Sequence, residues 1–462
     1  MGTNARKNKK LSAVLILGIA IRIFVFLFQD PFNNDYHFQV IKYIREAKKI
    51  PLAIEMSQGY HPPLYYLLAQ IFYAGDSTKG RLKSLQSFSL LTSILTFIIL
   101  FWLTKRYIQS SRAAFYSALL VALLPQFIAF GNFVSNDSLT NLFGALICLQ
   151  AYVFIASGQF RHLFLLALWL GLGLLTKATL LAFIPVIIPL VIFVQIIRRQ
   201  KIITVVVQTL IFCFLFSAFG SYKYLQNYRH FGRPFIHNTD PLVQKATGWP
   251  WAESQKGTYK GLSSFLDWNI AKLIKEPTWS ESTRHSYFLL LYGTLWYQYI
   301  HESNLEGNLT RFKYFGSLLY LLAIVPTIII TMGGIKFFFD CGERLKTKDL
   351  DLPFIQKAFS ILTFLSTLAM IVFIGYKTDV WSCFQARLFF PAIWGMIVLF
   401  AQGLELIEKK ARLFSLVRIL LCLLFVSFVC YFIIEFLLLL QILPPLTAQK
   451  MLFFNWERLK LF

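Results

Sequence analysis

The sequence predicts an all-α polytopic membrane protein, and three observations carry that reading. Apolar runs of roughly 18 or more residues recur from end to end, each long enough to cross a hydrocarbon core of about 30 Å as a helix. Only 15% of the 462 residues are charged and 57% are hydrophobic, with 48 Phe, where a soluble chain carries more charge. The basic residues behind a net charge of +23 sit in short clusters between the runs: "RKNKK" at 6–10, Lys105, Arg106 and Arg112, "RRQK" at 198–201, "GERLKTKD" at 342–349 and "EKKAR" at 408–412. That is the positive-inside arrangement of cytoplasmic loops. No aromatic-interleaved basic stretch lies outside the apolar runs, so nucleic acid is not an expected partner and membrane lipid is.

The elements follow in order. Expected spans are 11–28, 86–103, 113–130, 139–156, 162–175, 178–197, 203–222, 314–335, 355–375, 388–404 and 417–440, about eleven in all. With the N-terminus inside, this count puts every basic cluster on the cytoplasmic side. The basic start is read as a retained first span, because the run is long, carries Arg22 and lacks a small-residue cleavage site. Three regions result: an N-terminal transmembrane module over 1–222 with a first outer loop at 29–85, a large outer loop at 223–313, and a C-terminal transmembrane module over 314–462. The first outer loop holds an acidic turn and then an amphipathic pattern, with Phe38, Val40, Ile41 and Ile44 suited to a helix lying on the membrane. Residues 64–73 are too short to span and read as an interfacial or re-entrant piece. The segment 223–313 reads as a small cap of loops and short helices. Six cysteines form no CxxC pair and no metal-ligand spacing, so no disulfide framework is expected.

The chemistry gathers at one face. Asp35 follows the first span, Asp137 precedes the fourth in "GNFVSNDSLTN", Lys177 sits at the fifth-to-sixth turn, and Arg387 heads the tenth in "FQARLFFPA". Ionisable groups at that depth are costly unless they pair or meet a solvated cavity, so they mark a functional site by default. Two carboxylates and two cations around one cavity suit a substrate with a phosphate and a hydroxyl. A carboxylate can take a proton as general base, Arg can hold a phosphate through paired bonds, and Lys acts as a point charge. Each residue also has a plainer reading. Asp35 and Asp137 are placed to cap the helices that follow them, and Lys177 is placed to snorkel. The two prolines of His61-Pro62-Pro63 pin the chain into a turn before "LYYLL", where His61 can donate to a phosphate or to the acidic turn. His37, two residues after Asp35, reads as an interfacial side chain.

These motifs resemble the membrane-embedded C-type glycosyltransferases, in particular glycosyltransferase family 39 and its bacterial relatives. Those relatives include protein O-mannosyltransferases and the aminoarabinose transferase of lipid A. The resemblance rests on the first loop with "HPPLYY", on "FVSNDSLTNLFGAL", "GLGLLTKATLLAFIP" and "FQARLFFPA", and on "NYRHFGRPF" at 227–235. It implies transfer of a sugar from a polyprenyl-phosphate donor to a lipid, glycan or protein hydroxyl on the outer face of the membrane, with inversion. It also implies Asp35 as base, Asp137 as its assistant, and His61, Lys177 and Arg387 around the donor phosphate. The implied location is a bacterial plasma membrane with the site facing the periplasm or outside, or an endoplasmic reticulum membrane with the site in the lumen. The family's Asp-Glu pair is Asn34-Asp35 here, which keeps a non-catalytic relative in an envelope glycosylation complex as an alternative. A cofactor is not implied. A divalent cation is left open, since some of the superfamily use one and others none, and Asp35 with Asp137 alone makes a poor octahedral site. The rival from another class is a lipid or anionic-solute transporter or flippase, marked by paired halves and mid-membrane charges. No repeat is seen in this sequence and its ionisable residues crowd at one face, with Arg22 in the first span the exception.

Overall fold

The structure, a computed structural model, describes residues 2–28, 31, 33–237, 240–248, 261, 263–275, 277, 283, 285–297, 306–347, 349–378 and 384–439. Among them the chain is helical with no strand, apart from a single parallel bridge between Asn33 and Val134. The helices are α1 (Gly2–Phe28), α2 (His37–Ala47), α3 (Leu64–Ala69), α4 (Thr78–Tyr107), α5 (Ser111–Leu123), α6 (Pro125–Phe130), α7 (Asn136–Ser157), α8 (Phe160–Leu174), α9 (Ile184–Ile197) and α10 (Ile202–Gly220). There follow α11 (Tyr222–Phe231), α12 (Pro241–Thr247), α13 (Ser263–Leu266), α14 (Ala271–Lys275), α15 (Tyr287–Trp296), α16 (Glu306–Thr347), α17 (Leu352–Thr378), α18 (Ile393–Glu408) and α19 (Ala411–Leu439).

Among the described residues, nine helical segments are long and apolar enough to cross a membrane. Over the described residues all eleven expected segments are mainly helical, but two do not reach that length. The segment expected at 113–130 is divided into α5 and α6, because Leu124 before Pro125 adopts an extended backbone (φ −60°, ψ 111°). The segment expected at 162–175 is α8, whose 15 residues rise only about 22 Å. It stops at the Thr176-Lys177 turn, and a 3₁₀ stretch, Ala178–Phe183, leads into α9. The chain is a multi-pass membrane protein.

One span occupies the centre. The apolar window of Ala386–Glu408 is 89% buried, against 17% for α10, which turns Ile202, Val206, Leu210 and Phe214 outward along one stripe. Glycine allows the central span to be gripped. A Cβ at Gly144 in α7 would collide with the carbonyl of Pro391, so α7 lies directly against the 3₁₀ stretch Ala386–Ala392. That contact carries Arg387 to the start of α7. Beyond the spans, Ala53 packs with Ile236 and Val243, and Lys223 donates to the Pro51 carbonyl at 2.7 Å. The first loop and α11 are thereby tied together. Cys383 lies outside the described residues; the other five cysteines are free thiols.

Candidate active site

Four regions far apart in the chain meet at one place, the first outer loop contributing both its acidic turn and its His-Pro-Pro turn. The Asn33–Val134 bridge joins the acidic turn to the loop before α7, and Leu64 donates its amide to the Leu175 carbonyl at 3.0 Å, joining the His-Pro-Pro turn to the Lys177 turn. The close packing of α7 on Pro391 supplies the fourth. Asp35 and Tyr36 are both left-handed (φ 51° and 63°), a conformation costing non-glycine residues of order 1–3 kcal/mol each and therefore held by its surroundings. Asn33 contributes: its Oδ1 accepts from the Phe38 amide at 2.8 Å, and its Nδ2 donates to Gln39 at 2.9 Å.

The four charged side chains singled out by the sequence form one network. Arg387 Nη1 lies 2.8 Å from Asp35 Oδ2 and 3.5 Å from Asp137 Oδ2, and Lys177 Nζ pairs with Asp137 Oδ1. The Ser135 hydroxyl donates to Asp137 Oδ2 at 2.9 Å, and the Arg387 guanidinium stacks over Phe130 with 5.1 Å to the ring centroid. The plainer readings give way. The N-cap of α2 is Tyr36, with no side-chain cap, and the N-cap of α7 is Ser135, so neither aspartate has capping as its role. Lys177 is buried against Asp137 and does not snorkel. The carboxylates differ in access: the Asp35 side chain is 20% exposed and that of Asp137 4%. Asp35 is the one an incoming molecule can reach.

His61 and His37 lie beside this network. His37 is 1% exposed, its Nδ1 is 2.8 Å from the Tyr66 hydroxyl, and its ring centroid is 5.4 Å from that of His61. Tyr60 closes the other side of His61 at 4.1 Å. Burial pushes His37 down to about 4 and His61 well below its ordinary value, the latter also through His37. Both rings are neutral at neutral pH, so His61 offers a hydrogen-bond donor and not a charge. The sequence reading of His37 as an interfacial side chain is corrected: it faces inward with Ile41 and Ile44. Its spacing was the available signal, since 37, 41 and 44 share one helical stripe. Tyr66, Ser135 and Phe130 were not anticipated; nothing in their local sequence separates them from core and cap residues. Among the described residues, no three His, Cys, Asp or Glu side chains gather as metal ligands.

The family-model match agrees with the motif reading. Residues 60–220 match the family model of dolichyl-phosphate-mannose-protein mannosyltransferase, a stretch that includes His61, Asp137 and Lys177. No curated protein matches. The chain is similar to the apo crystal structure of the Archaeoglobus fulgidus oligosaccharyltransferase (14% identity, TM-score 0.47, 89% of this chain and 52% of that one). It is also similar to the oligosaccharyltransferase AglB from Archaeoglobus fulgidus in complex with an inhibitory peptide and a dolichol-phosphate (14%, TM-score 0.46, 88% and 51%). A third likeness is to ArnT from Cupriavidus metallidurans bound to undecaprenyl phosphate (12%, TM-score 0.35, 87% and 78%). The chain spans about half the length of the archaeal structures it matches.

Proposed function

We propose that this chain is an integral membrane glycosyltransferase. It moves a sugar from a polyprenyl-phosphate donor to the hydroxyl of a lipid, glycan or protein acceptor. The observation that carries the reading is the sharing of Arg387 between Asp35 and Asp137, with Lys177 on the second carboxylate. The family match over 60–220 supports the donor class. Asp35, the more accessible acid, takes the proton of the acceptor hydroxyl. The freed oxygen attacks the anomeric carbon as the bond from that carbon to the phosphate oxygen breaks, and the electron pair leaves on the polyprenyl phosphate. One displacement inverts the anomeric centre. Negative charge grows on the departing phosphate, where Arg387 and Lys177 stabilise it and the neutral His61 ring donates a hydrogen bond. Asp137, almost fully enclosed, holds both cations in place. The site faces the periplasm or exterior of a bacterial plasma membrane in this reading, or the lumen if the membrane is that of the endoplasmic reticulum.

The test is lipid mass spectrometry in the native host. A deletion strain is compared with strains restored by the wild-type gene or by Asp35→Ala. A polyprenyl-phosphate sugar accumulates in the deletion, clears with wild type and persists with Asp35→Ala. Equal clearing by Asp35→Ala removes Asp35 as the base, and the mechanism above fails with it.

A further inference from the structure

Arg22 stands apart from the network above. It lies in the interior of the first span and is fully buried. A guanidinium at such a depth costs several kcal/mol unless its donors are met, and a hydrocarbon side chain of the same length carries no such cost. Its donors are met, and by an unusual set. Nη1 reaches the carbonyls of Gly18 at 2.9 Å and Ala122 at 3.3 Å, Nη2 that of Val121 at 3.2 Å, and Nε the Ser93 hydroxyl at 3.3 Å. The rings of Phe97 and Phe127 lie 4.4 and 5.8 Å from its central carbon. All of these partners are neutral groups.

The carbonyls explain the choice. Val121 would bond to the amide four residues on, but residue 125 is proline and has none. Where Leu124 turns extended and α5 stops, Arg22 takes over the carbonyls left at the break. The short helix α6, on the far side of that break, leads straight to the site. Its Phe130 underlies Arg387, its Phe127 meets Phe390 edge-on at 5.3 Å, and Gly131 after it presses on Ser93, another partner of Arg22. Six residues later comes Asp137.

We infer that Arg22 is a positioning residue for the candidate active site: its guanidinium clamps the break at Pro125 and so sets α6 and the loop from Gly131 to Asp137 beneath Arg387. This rests on the transferase reading above. Lys177 and Arg387 stand on other segments, the latter anchored by Gly144 against Pro391 and by the Ala386 amide on Thr294 at 2.9 Å. Loss of the clamp therefore shifts the two acids, Asp137 directly and Asp35 through the Asn33–Val134 bridge, while Lys177 and Arg387 keep their own anchors. It slows transfer more than it weakens phosphate binding.

The deletion strain is restored with wild type, Arg22→Met, Arg22→Lys or Asp35→Ala at matched membrane levels, and the rate of clearing of the lipid-linked sugar is read. The purified full-length proteins are then titrated with undecaprenyl phosphate as probe and melted. Arg22→Met clears about 10- to 100-fold more slowly, the cost of a misplacement near 1 Å. Its Kd for undecaprenyl phosphate stays within about threefold, and its Tm falls by no more than about 2–4 °C. Arg22→Lys, which keeps the charge without the fork, lies between. Wild-type clearing by Arg22→Met overturns the inference, as does a joint collapse of clearing, binding and Tm in both variants. If Arg22→Met does not accumulate, Arg22→Lys decides, and wild-type clearing by it overturns the inference. Failure of the wild-type gene itself to clear any lipid-linked sugar instead overturns the transferase reading and the role of Arg22 in it.

Discussion

The two ends of the central span carry charge in opposite ways. At the Glu408 end of α18 the ion pair is local to one helix and the other partners are neutral side chains. Lys336 pairs with Asp340 one turn along the same helix at 2.6 Å, and Gln402 donates to Asp340 at 2.9 Å. The Ser110 hydroxyl lies 2.7 and 2.9 Å from the two oxygens of Glu408 while also capping α5. At the Arg387 end, two acids from separate loops share one guanidinium, and a lysine from a third segment holds one of them. The first arrangement is complete in itself and contributes little beyond local order. In the proposed function the second is a set of exchangeable partners, in which an incoming phosphate takes over a cation from a carboxylate. Charge shared unevenly across distant segments thus sets the proposed active end apart from the other.

Substitutions at the two ends can break this contrast. The largest effect is expected for Asp35→Asn, which keeps the shape and removes the base: clearing of the lipid-linked sugar falls by about 10³-fold. Undecaprenyl phosphate binds it at least as tightly as wild type, because one competitor for Arg387 is gone. Weaker binding would mean that Asp35 orders the cation site and is not its rival. Next comes Arg387→Lys. A point charge cannot bridge both acids and a phosphate, so affinity for undecaprenyl phosphate drops by about 10- to 100-fold, the worth of a charge-assisted bond. Unchanged affinity would leave Lys177 as the phosphate ligand.

A third effect is thermal and depends on pH. His37 titrates at about 4 when folded and at 6.5 in its ordinary state, because burial lowers it, with Lys177 and Arg387 adding to that and Asp35 and Asp137 opposing it. The unfolded chain therefore binds the proton first as pH falls. Stability is complete above about pH 6.5 and is lost toward pH 4, at of order 1 kcal/mol per pH unit for that ring. Melting temperatures measured across this window should fall for wild type and fall less for His37→Asn; parallel curves would place the titrating group elsewhere. The smallest effect belongs to the other end. Gln402→Leu should change clearing by less than about twofold and stability by about 1 kcal/mol. A large loss of transfer there would erase the distinction between the ends.

Much of this was legible in the sequence. Asp35, Asp137, Lys177 and Arg387 were recognisable because a charge beside a long apolar run is costly, and such residues are few. What capping and snorkelling could not settle was which of them meet, since 2.8 Å between residues 35 and 387 leaves no trace in local spacing. The division of one expected span at Pro125 was underread for a related reason. An apolar run that contains a proline looks continuous to hydropathy, whereas the missing amide is felt only where helix geometry counts hydrogen bonds. Arg22 stood out as a lone charge in the first span, yet its partners are backbone carbonyls a hundred residues away.

Composition and periodicity by themselves determined that the chain crosses a membrane many times, where most of the spanning segments lie, and which ionisable residues stand at their ends. These are decided by the transfer of apolar side chains out of water, an interaction that each segment makes largely alone. Tertiary structure decided the pairing of Arg387 with two aspartates, the inward turn of His37, and the filling of the Pro125 break by Arg22. Those outcomes depend on directional bonds a few ångströms long, formed only once glycine contacts such as Gly144 on Pro391 bring distant helices together.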